Sequence, residues 1–304
     1  VRKTAMKKLI FLLFICSQTY GQTINFTGKL LDKETNKPVV YANISFLKTN
    51  TGISSLEDGT FNLEIDKKLL QEKIHISCLN YKDTIVLADN LQQKTLFLQP
   101  KSFELNEVVI SKKVDRELQV DAYKRRDIKA TFGGSQSNPW TVAKFFKYRK
   151  EYKETPYIKD LSVYFGAMIV REKSKFRVRL FKLDTITGFP SKDIVHKEII
   201  AYSNLIDGKV KIDISKYDIE FPKEGFFVGL ERIHIPYNFY EYKYTMQGSK
   251  KKYIAKAVAP SFGAVYTKDT TFNFYSGKWR KLYSPKEYYK GNQIQPAISL
   301  TLTN

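Results

Sequence analysis

From Thr23 to Pro100 the chain alternates apolar and polar residues in short runs broken by turn residues, which predicts an all-β sandwich. "INFTGKLLD" and "YANISFLKT" are two candidate strands, and Pro38 keeps the segment between them out of a central position. "KIHISCL" puts Ile74, Ile76 and Cys78 on one strand face and His75 and Ser77 on the other. On that face Cys78 is a buried small hydrophobe rather than a reactive thiol. Asp58-Gly59, between "ISSL" and "TFNLEI", predicts a hairpin turn because glycine accepts positive φ without a Cβ clash. Beyond it Phe61, Leu63 and Ile65 alternate toward a core.

The pattern then changes. "KKVDRELQVDAYKRRDIKA", residues 112–130, carries Val114, Leu118 and Ala122 four residues apart, which predicts a short amphipathic linker helix. "TFGGSQSNP" reads as a break between domains. Past Trp140 the β pattern returns in "KDLSVYFGAMIV", "SKFRVRLFKL" and "GKVKIDIS". "FFVGLERI" is a short apolar run of the kind that forms a buried strand. Phe176, Val178 and Leu180 share one strand face, and Arg177 and Arg179 share the other with Phe181.

These segments carry two resemblances. Gly28, "PVVYANI", Gly52, "DGTF" and "IHISCLNY" resemble the carboxypeptidase regulatory-like domain, a transthyretin-like seven-stranded β-sandwich of secreted proteins in the Bacteroidota. That family usually has glycine where this chain has Asn80, and the resemblance implies a module without catalysis. "KSFELNEVVISKK" resembles the junction that follows such domains, including in TonB-dependent outer-membrane receptors. The residues that follow here are too few for a barrel of about 22 strands of ~10 residues each. The layout of residues 138–304 resembles jelly-roll, carbohydrate-binding-module-like sandwiches. The expected organisation is a first sandwich over 22–100, a linker with a short helix over 101–137, and a jelly-roll-like sandwich over 138–304.

Residues 1–21, "VRKTAMKKLIFLLFICSQTYG", place positive charge before an apolar run and a small residue, the pattern of a secretory signal peptide. Export to the periplasm or the outer-membrane surface follows as an expectation, and it argues against a nucleic-acid partner. No later apolar run is long enough for a transmembrane helix. With Cys16 in the leader, Cys78 is the one thiol left, so an internal disulfide is not expected. Charge is uneven: residues 22–100 hold nine basic and nine acidic side chains, whereas residues 138–304 hold 30 against 16. The second half therefore suits an anionic partner, or a well-solvated surface.

The chain has none of the motifs of a nucleotide site, a serine hydrolase or a zinc peptidase, and His75, His196 and His234 are not at ligand spacing. No cofactor or metal is expected. Glu231 and Asp213 are the carboxylates that a glycan hydrolase would have to bring together. The 41 Tyr and Phe residues, dense in "YNFYEYKY", suit either sandwich cores or sugar-stacking surfaces. Candidate ligand residues are Trp279, Trp140, Tyr240 and Tyr242, with Arg177, Arg179 and "GSKKKY" as a basic surface for phosphate-bearing or acidic glycans. The expected function is a non-catalytic cell-envelope protein that binds a glycan or a partner protein. The alternatives are a structural component of an outer-membrane complex and an envelope glycan hydrolase.

Overall fold

A computed structural model describes residues 22–102, 116–134, 138–166, 173–204 and 208–304. The leader, Val114 and the whole of the "ELNEVVISKK" junction lie outside the described residues. The first seven strands are β1 (Thr23–Asp32), β2 (Asn43–Phe46), β3 (Gly52–Ser54), β4 (Thr60–Asp66), β5 (Lys73–Ser77), β6 (Thr84–Leu87) and β7 (Lys94–Leu98). They form a three-stranded sheet, β4-β1-β7, and a four-stranded sheet, β3-β2-β5-β6, so the seven-stranded sandwich is borne out. Phe26 and Leu30 from β1, Phe61 and Ile65 from β4, and Ile44, Ile74 and Ile76 from the facing sheet fill its interior. Each fully buried side chain of that size contributes about 1.5–3 kcal/mol.

Gly59 has φ of 78°, as the Asp-Gly reading requires, but the turn does not close a hairpin. β3 pairs with β2 while β4 pairs with β1, so Asp58-Gly59 carries the chain from one sheet to the other. The turn is closed locally by Leu56 N–H to the Thr60 carbonyl at 2.7 Å.

The remaining strands are β8 (Glu117–Val120), β9 (Ala130–Phe132), β10 (Trp140–Phe146), β11 (Tyr157–Tyr164), β12 (Lys175–Leu183), β13 (Pro190–Asp193), β14 (Ile199–Tyr202) and β15 (Lys209–Asp213). After them come β16 (Phe226–Arg232), β17 (Phe239–Thr245), β18 (Lys252–Val258), β19 (Phe262–Thr267), β20 (Phe272–Tyr275), β21 (Lys278–Lys281), β22 (Gln293–Pro296) and β23 (Ile298–Thr303). A seven-stranded sheet runs β13-β12-β16-β10-β20-β21, with β14 also on β12. A four-stranded sheet, β15-β11-β23-β8, lies across a shared core from it. Phe176, Val178, Leu180, Val228 and Leu230 meet Leu161, Val163, Ile298 and Leu300 in that core.

The expected linker helix is absent from the described part of 112–130. Glu117–Val120 is instead strand β8, paired with β23, and Ala130–Phe132 is β9, paired with β19. Leu118 and Val120 also satisfy a two-residue period, and an available sheet edge selects it over the helical one. Residues 117–132 thus belong to the second body rather than to a linker.

All seven residues of β16 are buried. Its inner face packs in the sandwich core. Its outer face is covered partly by an aromatic group of Phe181, Phe227 and Phe272 and partly by the first sandwich.

Candidate functional site

Two features of the second body bear on function: a buried charge cluster facing the first sandwich, and a tyrosine-bearing ribbon standing apart from the main sheets.

Strand alternation sends Arg177 and Arg179 to the outer face of β12, where the first sandwich covers Arg177 and carboxylates of the second body hold Arg179. They are not a solvent-facing basic surface, contrary to the sequence expectation. Arg177 is fully buried and ion-paired with Glu231, itself 1% exposed, and it donates to Glu198 at 2.7 Å. The same guanidinium donates to the backbone carbonyl of Tyr41 at 3.2 Å, across the domain boundary. Arg179 makes a two-pronged contact with Asp193 at 2.9 and 2.7 Å. Burial opposes the charge of Arg177, yet Glu231 and Glu198 outweigh it and hold the group above its ordinary value. Nearby, Asn43 donates to Glu231 at 3.2 Å, and Lys175 donates to Glu57 at 2.6 Å and to the Tyr41 hydroxyl at 2.9 Å.

Further contacts extend this junction. Ser54 and His234 exchange two hydrogen bonds of 2.9 Å, Ser54 N–H to the His234 carbonyl and His234 N–H to Ser54 Oγ. His75, on the polar face of β5, is buried beside Phe274 and Gly277 of the second body. A Cβ on Gly52 would come within 2.4 Å of Asn138 Oδ1, so the domains meet there too closely for any side chain. The arrangement is a polar clamp rather than a reaction centre. Glu231 is consumed in the ion pairs, whereas Asp213 sits on β15 of a different sheet and accepts from Ser215 N–H at 2.9 Å. The carboxylate pair named for hydrolysis is therefore not assembled. Among the described residues, no three His, Cys, Asp or Glu side chains converge as a metal site requires.

The second feature is the ribbon of β17 and β18, a two-stranded sheet of its own. Tyr240, Tyr242 and Tyr244 alternate along β17 and so share one face. Across the ribbon their register partners are Ala257, Ala255 and Tyr253. The two alanines leave the first two rings uncovered from the neighbouring strand, and Tyr253 extends the row. Successive ring centroids are 6.1, 6.1 and 5.6 Å apart with tilts of 37°, 45° and 32°, giving one continuous aromatic strip. Tyr240, Tyr242 and Tyr253 are partly buried, and Tyr244 is 38% exposed. Lys251 Nζ stands 5.5 Å from the Tyr253 ring centre. At the root, burial and nearby Tyr242 raise the pKa of Tyr240, whereas Arg232 and a hydrogen bond from Ser261 act against the rise.

A two-stranded ribbon is at best marginally stable in water. Here the cross-strand pair Tyr244 and Tyr253 supports it, as does the root, where Ala259 N–H donates to the Asn238 carbonyl at 2.9 Å.

Of the other residues read from the sequence, Trp279 packs edge-on against Phe181 at 5.3 Å and beside Phe274. Trp140 lies against Phe262 and the Arg232 guanidinium on the side of the main core. The two tryptophans thus belong to different packing clusters and do not share a ligand surface. Tyr240 and Tyr242 do come together. Tyr244 and Tyr253 complete their row, and neither was singled out from the sequence. The signal was the alternation in "YEYKY", followed by the turn around Gly248 and a second Tyr-containing run.

Residues 26–110, which include most of the first sandwich, match the family model of the CarboxypepD_reg-like domain. No curated protein matches the sequence. Among solved structures, similarity is found to the cysteine protease and lectin-like domains of Cwp84, a surface layer associated protein of Clostridium difficile. The identity is 11% and the TM-score 0.34, with 55% of this chain and 33% of that chain covered. This chain therefore spans about a third of that structure's length.

Proposed function

We propose that the protein is a non-catalytic binding component of the cell envelope, and that the tyrosine strip of β17 and β18 is its glycan platform. The observation that carries this reading is the row Tyr240, Tyr242, Tyr244 and Tyr253, with neighbouring rings 5.6–6.1 Å apart. Among the described residues many other aromatics fill the cores, as Phe26, Phe176, Phe226 and Phe262 do, and exposed ones such as Tyr283 and Tyr288 are in no ring-to-ring row like this one. These four instead line a projecting ribbon, where their packing contributes little to a core. Partly exposed rings in a row offer apolar faces to the C–H faces of sugar rings, and their hydroxyls offer hydrogen bonds at the rim. The CarboxypepD_reg-like domain acts in this reading as a docking module that also steadies the segment leading into β17, through Ser54 and His234. Export to the periplasm or outer-membrane surface rests on the leader-like residues 1–21.

The test is a glycan array probed with the protein, followed by Tyr242→Ala and Tyr244→Ala. Both variants are expected to lose array binding; Tyr242→Ala, opposite Ala255, should keep the parent melting temperature, whereas Tyr244→Ala also removes the Tyr253 pair that supports the ribbon. An array without a single glycan bound would defeat the reading.

A second reading, a structural part of an outer-membrane assembly, has its own observation. Ile85 and Leu87, alternate residues on the outer face of β6, are 56% and 39% exposed on the first sandwich. Cross-linking from Lys82 or Lys94 in intact envelopes would capture one defined partner protein if this surface docks, and none if it does not.

A further inference from the structure

We propose that the ligand of the tyrosine strip is an acidic polysaccharide, one bearing carboxylate, sulfate or phosphate groups along its chain. The inference rests on the platform reading above and adds the charge of its ligand. Between Phe239 and Val258 the ribbon carries five lysines, Lys243, Lys250, Lys251, Lys252 and Lys256, against one carboxylate, Glu241. Strand alternation puts Glu241 on the face away from the rings, where it lies 3.8 Å from Lys256. The same alternation sends Lys243, Lys252 and Lys256 to that far face, so the positive charge beside the rings is that of the tip, where Lys251 leans over the last ring of the row.

A separate observation concerns the root. Arg232 is 1% exposed and stacks on Trp140 at 4.6 Å. Its hydrogen bond is a long one, 3.4 Å to the Val258 carbonyl, and its Nε has no partner. The other two arginines of this region, Arg177 and Arg179, each face carboxylates. Among the described residues no carboxylate lies within ion-pair distance of Arg232. Among the described residues its charge has no counter-ion, and a buried charge is screened far less than a surface one. It acts on Tyr240, the first ring of the strip. The strip thus ends in a lysine cluster at its tip, while Arg232, buried against Trp140, adds only a background positive charge near its root. A neutral sugar would use the rings and leave the lysines idle, whereas a polyanion uses both.

The experiment compares binding of the protein to polygalacturonate and to the same polymer fully methyl-esterified, which keeps the backbone and removes the charge. Polygalacturonate is expected to bind roughly tenfold or more tightly, with an affinity that falls as salt rises. The exposed triple variant Lys250→Ala, Lys251→Ala, Lys252→Ala should lose most of that preference and keep its fold. Equal binding of both polymers would overturn the acidic-ligand proposal and leave the platform standing, whereas binding of neither, with a blank array, would remove both. Polygalacturonate binding that survives Tyr242→Ala combined with Tyr244→Ala is bulk charge attraction and also overturns the proposal. So does preferential binding to vesicles of anionic phospholipid, which would make the ribbon a membrane-facing element.

Discussion

Arg177 and Glu231 form an ion pair sealed between two domains, with neither side chain more than 1% exposed. The guanidinium belongs to β12, and the carbonyl it also grips, that of Tyr41, belongs to the first sandwich. Removing one partner leaves the other charged and buried, which costs about 3–5 kcal/mol, whereas replacing both by apolar residues of similar volume is often neutral. Glu231→Ala should therefore lower the urea midpoint sharply, and Arg177→Met combined with Glu231→Leu should recover most of the loss. A double variant no better than Glu231→Ala would show that the pair's hydrogen bonds to the first sandwich, rather than its charge balance, hold the junction.

The junction also carries an acid-sensitive group. Burial, with a contribution from Arg232, pushes the pKa of His234 down to about 3. An unfolded histidine titrates near its ordinary 6.5. The unfolded chain therefore takes up a proton below that pH while the native one does not. The stability contributed by the neutral ring is complete above about 6.5 and is lost as pH falls toward 3, at most ~1.4 kcal/mol per pH unit. Between pH 7 and pH 5, above the carboxylate range, the loss should be up to ~2 kcal/mol. His234→Phe should flatten the slope of melting temperature against pH in that window. The small remaining slope would come from His196, which burial also lowers. A variant with the parent slope would clear His234 of the role.

Parts of this molecule are legible in the sequence because they are local. The alternation of Phe176, Val178 and Leu180 fixes which face of β12 enters the core, and Asp58-Gly59 announces a turn at positive φ. What Arg177 faces is not local. Glu231 lies 54 residues away and Tyr41 lies 136 away, so the same alternation that places the arginine on the outer face cannot say that a second domain covers it. The segment 117–120 misleads for a related reason. Leu118 fits a helical spacing with Ala122 and a strand spacing with Val120, and the free edge of β23 decides between them. The tyrosine strip was half legible. "YEYKY" gives three rings on one face of β17, but Tyr253 joins them only through the ribbon register.

Cys78 offers a reporter of the same junction. Burial pushes its thiol up to about 12, and its Sγ lies 3.6 Å from the Val40 carbonyl. The thiolate that reacts with disulfide reagents is then scarce and shielded. In protein lacking residues 1–21, Ellman's reagent should label Cys78 very slowly in native buffer and stoichiometrically in urea. Labelling within seconds under native conditions would mean that the first sandwich opens far more readily than its packing implies.

Asn80 stands where the resemblance read from the sequence leads one to expect glycine, and the structure gives that departure a physical account. Its φ is 69°, a left-handed conformation that Asn tolerates better than most residues with a Cβ. In return its side-chain amide donates to the His196 carbonyl at 2.6 Å, another bond across the junction. Glycine would relax the backbone but lose that bond and gain unfolded-state freedom, a net cost of about 1 kcal/mol. Alanine would lose the bond and add the left-handed penalty, for roughly 2 kcal/mol in all. The expected order of urea midpoints is parent, then Asn80→Gly, then Asn80→Ala. If Asn80→Gly equals or exceeds the parent, the bond to His196 contributes nothing net, and this asparagine is at best a tolerated stand-in for glycine. If the expected order holds, the residue that departs from the family pattern is one that ties the regulatory-like domain to the body carrying the tyrosine strip.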